Sequence, residues 1–210
     1  MARLAIAPIV EGHGEEKCVP DLLRRIGQLY LPDHQVFCLK PQANPKSGLL
    51  NGDLLRPAVI QAANKLHQSR VSWDQGVILI LIDADTNDPR QVEEMERGLL
   101  ERAESIKTRS KYNSQFKYMC TAIVWEYETW FVAAAGSLTN YLKLKRDETP
   151  PLDPEKDGLR KRWVEERFRS AKYRETIDQL EMTRAMDLNL CFQRSPSFRR
   201  LCEGLQRRVR

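Results

Sequence analysis

What the 210-residue chain lacks narrows its function first. It has no run of about 18 consecutive apolar residues, so no membrane span is expected. Its five cysteines, at 18, 38, 120, 191 and 202, form no CxxC pair, and His13, His34 and His67 share no ligand spacing, which argues against structural zinc. An odd set of cysteines in apolar stretches reads as free thiols in a reducing compartment. The apolar opening MARLAIAPIVEG is short, has no small-residue cleavage pattern and runs straight into charge. It reads as a strand rather than a secretory signal, and the cytoplasm is the expected compartment. Neither GxxxxGK followed by Ser or Thr nor GxGxxG occurs; GHGEEK at 12–17 carries glutamates that would repel a phosphate. No serine or cysteine stands in a nucleophilic arrangement, and the chain carries no ATPase of its own.

What is present is enough apolar residue, 41%, for a real core, and a net charge of +5 that is unevenly spread. Residues 1–152 hold 19 basic and 19 acidic side chains, whereas residues 153–210 hold 15 and 10. A basic segment beside a neutral one suits a polyanionic partner, because lysine and arginine release counterions on phosphate. It suits a solvated helical surface equally well.

Periodicity orders the chain. RLAIAPIV, HQVFCLKP, GVILILIDAD and FKYMCTAIVW read as strands, though Pro8 sits awkwardly in a central one. Between them lie helical patterns: one after the glycine turn at 12–14, one in LLRPAVIQAANKLHQS with Asp53 as its N-cap, one in PRQVEEMERGLLERAESI, and a short one in EYETWFVAAAG. QANPKSGLLNGD reads as a loop. Alternating strands and helices predict an α/β fold, a mostly parallel sheet flanked by helices. The expected organisation is a domain over 1–142, a charged proline-bearing linker over 143–157, and a basic helical extension over 158–210 that packs on the domain.

Such sheets place ligands at the carboxyl ends of their strands, and there this sequence delivers acids: Glu11 after the first strand, Asp83 and Asp85 after the third, Glu126 and Glu128 after the fourth. One acidic strand end is ordinary; three converging are costly unless cations compensate. Asp88 is better explained as a helix N-cap, with Pro89 at the first helical position and Gln91 as its partner. Asp83 and Asp85, two apart in extended chain, point the same way, with Cα atoms roughly 7 Å apart. Carboxylate oxygens suit magnesium or manganese. Glu15 and Glu16 read as favourable charges at a helix N-terminus. Glu126 and Glu128 share a face only if the segment is still extended, and Trp130 and Phe131 read as core.

PIVEGHGEE at 8–16, LILIDAD at 79–85 and VWEYETWF at 124–131, in that order, resemble the TOPRIM fold of topoisomerases, primases and overcoming-lysogenization-defect nucleases. The pattern is most similar to small bacterial TOPRIM-like proteins encoded near ABC- or AAA-type ATPases, for which a role in defence against phage is inferred. The likeness extends through AKYRETID and SPSFRRLCEGL, and Pro8 belongs to it. The resemblance implies a nuclease-like centre. In it Glu11 is a general acid/base or metal ligand, Asp83 and Asp85 are the DxD ligands, and Glu126 and Glu128 serve a second ion. Lys172, or another C-terminal base, neutralises charge in the transition state.

The expected activity is therefore magnesium- or manganese-dependent hydrolysis of phosphodiesters in DNA or RNA, through one or two ions. No tyrosine stands out as a strand-passage nucleophile. Two rival expectations are a non-catalytic or regulatory subunit working with an ABC- or AAA-type ATPase, and phosphoryl transfer to a small substrate.

Overall fold

The computed structural model describes residues 1–69, 72–107, 116–145, 148–156, 158, 160–170 and 172–209. Residues 146–147 and 157 of the expected linker lie outside the described residues. The elements run β1 (Ala2–Val10), α1 (His13–Tyr30), β2 (His34–Cys38), β3 (Gln42–Ala43), α2 (Lys46–Asn51), α3 (Leu55–His67), β4 (Gln75–Asp83), α4 (Pro89–Lys107), β5 (Phe116–Ile123) and α5 (Glu128–Ala133). Four helices follow: α6 (Arg160–Arg167), α7 (Glu175–Ala185), α8 (Leu188–Arg194) and α9 (Pro196–Val209). The sheet order is β2-β1-β4-β5, with β3 beside β1 beyond the end of β2, and every pairing of these strands is parallel. The fold is α/β, as the alternation predicts. Among the described residues no helix is long and apolar enough to cross a membrane, and all five cysteines are free.

The period of two sorts the central strands onto two apolar cores. Leu4, Ile6 and Val10 of β1 and Val77, Leu79 and Leu81 of β4 enter one, shared with α1, α5 and the C-terminal helices. Ala5, Ala7 and Ile9 with Ile78, Ile80 and Ile82 enter the other, under α3 and α4. Gly27 lets α1 lie on β2, since a Cβ there would come within 2.8 Å of the Val36 Cβ.

Pro8 finds a place where its missing donor does no harm. Ile6 O accepts the Leu39 N–H at 2.8 Å and Val10 O accepts the Asn44 N–H at 2.9 Å, so even-numbered residues of β1 face the β2/β3 side. Pro8 stands between them, in the break that separates the β2 pairing from the β3 pairing.

The segment expected as a loop, 42–53, holds β3 and α2 instead. Asp53 does not cap α3. Leu54 occupies that position with no side-chain cap, because Gly52 ends α2 at φ 93° and the turn ties the Leu54 N–H to Gly48 O at 3.0 Å. Asp88 does cap α4: its Oδ1 accepts the Arg90 N–H at 2.9 Å and its Oδ2 accepts from Gln91 Nε2 at 3.0 Å.

Candidate metal centre

β1, β4 and β5 end on one edge of the sheet, and each hands over to acids. Alternation fixes the direction of Asp83. Val77, Leu79 and Leu81 face the α1 side, so Asp83, two residues further, faces it too. Its carboxyl is pushed well above the usual carboxylate range, first by burial and then by the charges of Glu15, Glu128, Glu11 and Glu126 in that order. Every one of these influences raises it.

Each glutamate comes from a different local geometry. Glu11 leaves β1 just before Gly12, the N-cap of α1, and its Oε2 accepts the Asp83 backbone N–H at 3.3 Å. Burial raises the Glu11 carboxyl, the Asp83 amide and Lys46 lower it, Asp85 and Glu15 raise it, and the net direction is up. Glu15 heads the buried stripe of α1, four residues before Val19 and seven before Leu22, and its Oε1 accepts from Gln179 Nε2 of α7 at 3.3 Å. Glu126 accepts the Lys161 backbone N–H; burial raises its carboxyl against that bond and against the Lys161 charge. Glu128 opens α5, is 3% exposed, and accepts from the Tyr173 hydroxyl at 2.8 Å. Burial is the main reason its carboxyl is pushed up to about 7.

One expectation fails on geometry. Asp85 does not share the direction of Asp83, because β4 stops at Asp83 and Asp85 adopts φ 55°, which breaks the alternation. Its side chain is 68% exposed and pairs with Lys46 Nζ at 2.6 Å. It still adds negative potential at Glu11 and Glu126. Lys172 is exposed, and its neighbour Tyr173 is the residue that turns inward to the acids. Glu126 precedes α5 and Glu128 opens it, and the charges of both raise the Asp83 carboxyl. Trp130 and Phe131 are buried in the core as expected. Sequence reasoning also missed Glu15, whose place on the apolar stripe of α1 was the available signal, and the bases Lys46 and Lys161. Nothing local marks Tyr173, which meets its partner across 45 residues.

The loops carrying these acids are laced together. The Ala84 N–H donates to Ile123 O at 2.7 Å, the Asp85 N–H to Trp125 O at 2.9 Å, and the Trp125 N–H to Thr86 O at 3.1 Å. Trp125 has φ 62°, rare for so bulky a residue. Asp85 and Trp125 are the only described non-glycine residues with positive φ, and such strain concentrates where a site demands it. Asp85 of the laced loops, with Glu11, Gly12, Lys46, Ser47 and others, lines a cleft of about 780 Å³. A second cavity, of about 560 Å³, is walled by Asn87, Val92, Glu96, Val124, Pro196 and Arg200, among others.

The donors match magnesium or manganese in kind, since all are carboxylate oxygens. Their crowding is of the sort a divalent cation relieves. Among the described residues, no group of three or more His, Cys, Asp or Glu side chains is placed to hold an ion as it stands. Glu11 and Glu126 are turned to backbone amides and Glu128 to Tyr173, so closing on an ion requires these side chains to rotate.

No curated protein and no solved structure matches the chain. One family model does, over residues 10–206. That span opens one residue before Glu11 and runs into α9, so it takes in every acid described above, and the chain belongs to the family it describes, a domain of unknown function (DUF4276).

Proposed function

We propose that the chain is a divalent-metal-dependent phosphodiesterase acting on nucleic acid. The observation that carries this reading is the arrival of Glu11, Asp83 and Glu126 at one sheet edge from the ends of three parallel strands, where the charges of Glu11, Glu15, Glu126 and Glu128 all raise the Asp83 carboxyl. Carboxylates that repel one another in a partly desolvated place cost stability, and such sites are enriched in function. The edge itself is where open α/β sheets bind ligands. The likeness of PIVEGHGEE, LILIDAD and VWEYETWF to TOPRIM nucleases supports the same reading.

Asp83, Glu11, Glu126 and Glu128 would hold magnesium or manganese. Such an ion, when bound, supplies charge neutralisation of the phosphate and a water nucleophile at neutral pH. The chain's own residues set the frame. Glu11 ties the end of β1 to the Asp83 amide, and Glu126 ties the β5–α5 loop to the start of α6. Tyr173 fixes the Glu128 carboxyl from the buried side. The cleft that Glu11 lines, about 780 Å³, falls within the roughly 300–1,000 Å³ typical of ligand sites.

Purified chain given Mg²⁺ or Mn²⁺ is expected to cleave DNA or RNA. Asp83→Asn should lower that rate by about 10²-fold or more, the scale of losing one electrostatic partner of a transition state. Cleavage that survives Asp83→Asn at the wild-type rate ends the proposal.

A further inference from the structure

Lys46 is the basic residue placed most tellingly at this edge. It opens α2, its side chain is only 15% exposed, and it lines the cleft together with Glu11 and Asp85. Its single ion-pair partner among the described residues is Asp85, at 2.6 Å. The pair is lopsided: a lysine side chain only 15% exposed leans on an aspartate side chain that is 68% exposed. A solvated carboxylate is a weak partner for an ammonium, because water competes for one end of the pair. An ammonium so placed gains from a better anion, and the cleft it lines is open to one. Asp85, for its part, is held out over the cleft, two residues beyond Asp83, on a backbone already bent away from the strand.

We propose that Lys46 exchanges partners when a substrate enters: its ammonium passes from Asp85 to the phosphodiester, and the released Asp85 carboxylate turns to the ion held by Asp83. This rests on the phosphodiesterase reading and deepens it. Lys46 becomes the phosphate-contacting residue of the cleft and the gate on Asp85, so the site completes its ligand set only with substrate present. The exchange makes metal and substrate cooperative, and by linkage each tightens the other by the same factor.

The test measures Mn²⁺ affinity by paramagnetic resonance, without and with a dithymidine phosphorothioate, a phosphodiester mimic that is cleaved slowly. In the wild-type chain the dinucleotide is expected to tighten Mn²⁺ by about fivefold or more, the lower end of ordinary coupling between sites. Lys46→Met should bind Mn²⁺ tighter by a similar factor without the dinucleotide, and gain nothing further from it. Asp85→Asn should lose the coupling, the dinucleotide leaving its Mn²⁺ affinity unchanged. Lys46→Met combined with Asp85→Asn separates the gate from simple removal of a positive charge: the gain must vanish in the double variant. A gain that persists there overturns the exchange, as does a Lys46→Met chain that folds normally and retains the wild-type coupling. Lys46→Arg, which keeps the charge, should keep the coupling. A wild-type chain that binds no Mn²⁺ at all overturns the metal reading itself, and the exchange falls with it.

Discussion

Tyr173 and Lys172 stand side by side with opposite surroundings. The tyrosine hydroxyl is buried against Glu128, and the lysine faces solvent. Tyr173→Phe leaves a buried acceptor without its donor, and the chain should lose about 1–3 kcal/mol of stability. Lys172→Ala should shift it by less than about 0.5 kcal/mol. The urea midpoints of the two variants measure this, and equal midpoints would contradict the contact. How far the sequence could place these side chains has a physical reason. Acids at strand ends inherit a direction from the period of two, so Asp83 could be placed from Val77, Leu79 and Leu81 alone. Asp85 could not, since its direction depends on a left-handed backbone that nothing in DAD announces. Contacts closed over long separations, such as Glu128 with Tyr173 or Glu15 with Gln179, leave no periodic trace.

At the scale of elements, β5 is an edge strand, a ready template for unwanted pairing. Its free side is covered by side chains. Glu96 of α4 accepts the Ala122 N–H at 2.9 Å, Arg200 of α9 donates to Ala122 O at 3.1 Å, and Arg208 Nε donates to Tyr118 O at 2.8 Å. Arg200 also pairs with Glu96 at 3.4 Å. Glu96→Ala strips both the amide and the arginine of their acceptor. The expected outcome is a loss of about 1–3 kcal/mol in unfolding free energy, with concentration-dependent light scattering that the wild type does not show. Glu96→Gln keeps an acceptor and should fall between the two; an alanine variant as stable and clear as wild type would show the edge needs no cover. The long elements were legible because nine residues of strand or eighteen of helix repeat their pattern several times. The two residues of β3 and six of α2 do not complete enough of a period to be seen. Those short pieces carry Lys46, which is why the cleft's cation escaped notice while its acids did not.

The whole molecule depends on its last four helices more than their charge suggests. Val164, Met182, Met186, Leu188, Phe198, Leu201 and Leu205 belong to the same core as Leu4, Leu79 and Trp130. Polar ties run across the same seam. Arg25 donates to Thr183 O and Met186 O at 2.5 and 2.7 Å, Lys17 to Thr176 O at 3.0 Å, and Gln206 to Tyr30 O at 3.0 Å. Much of the basic surplus is spent inside the fold. Arg160 bonds Pro154 O, Arg167 pairs with Glu148, Arg169 bonds Thr139 O, and Arg194 bonds Ala133 O. Composition offered a polyanion-binding face or a solvated one, and could not show arginines acting as internal fasteners. A chain ended after residue 145 should therefore show no cooperative thermal transition, whereas the full chain should melt in one step. A sharp melt of the shortened chain would show that the sheet stands without its tail. The laced turns at 84–86 and 123–125 have a consequence on this same scale. Linked to one another by backbone hydrogen bonds, they also touch both hollows: Asp85 lines one and Val124 the other. One pair of linked turns thus lends a wall to each hollow.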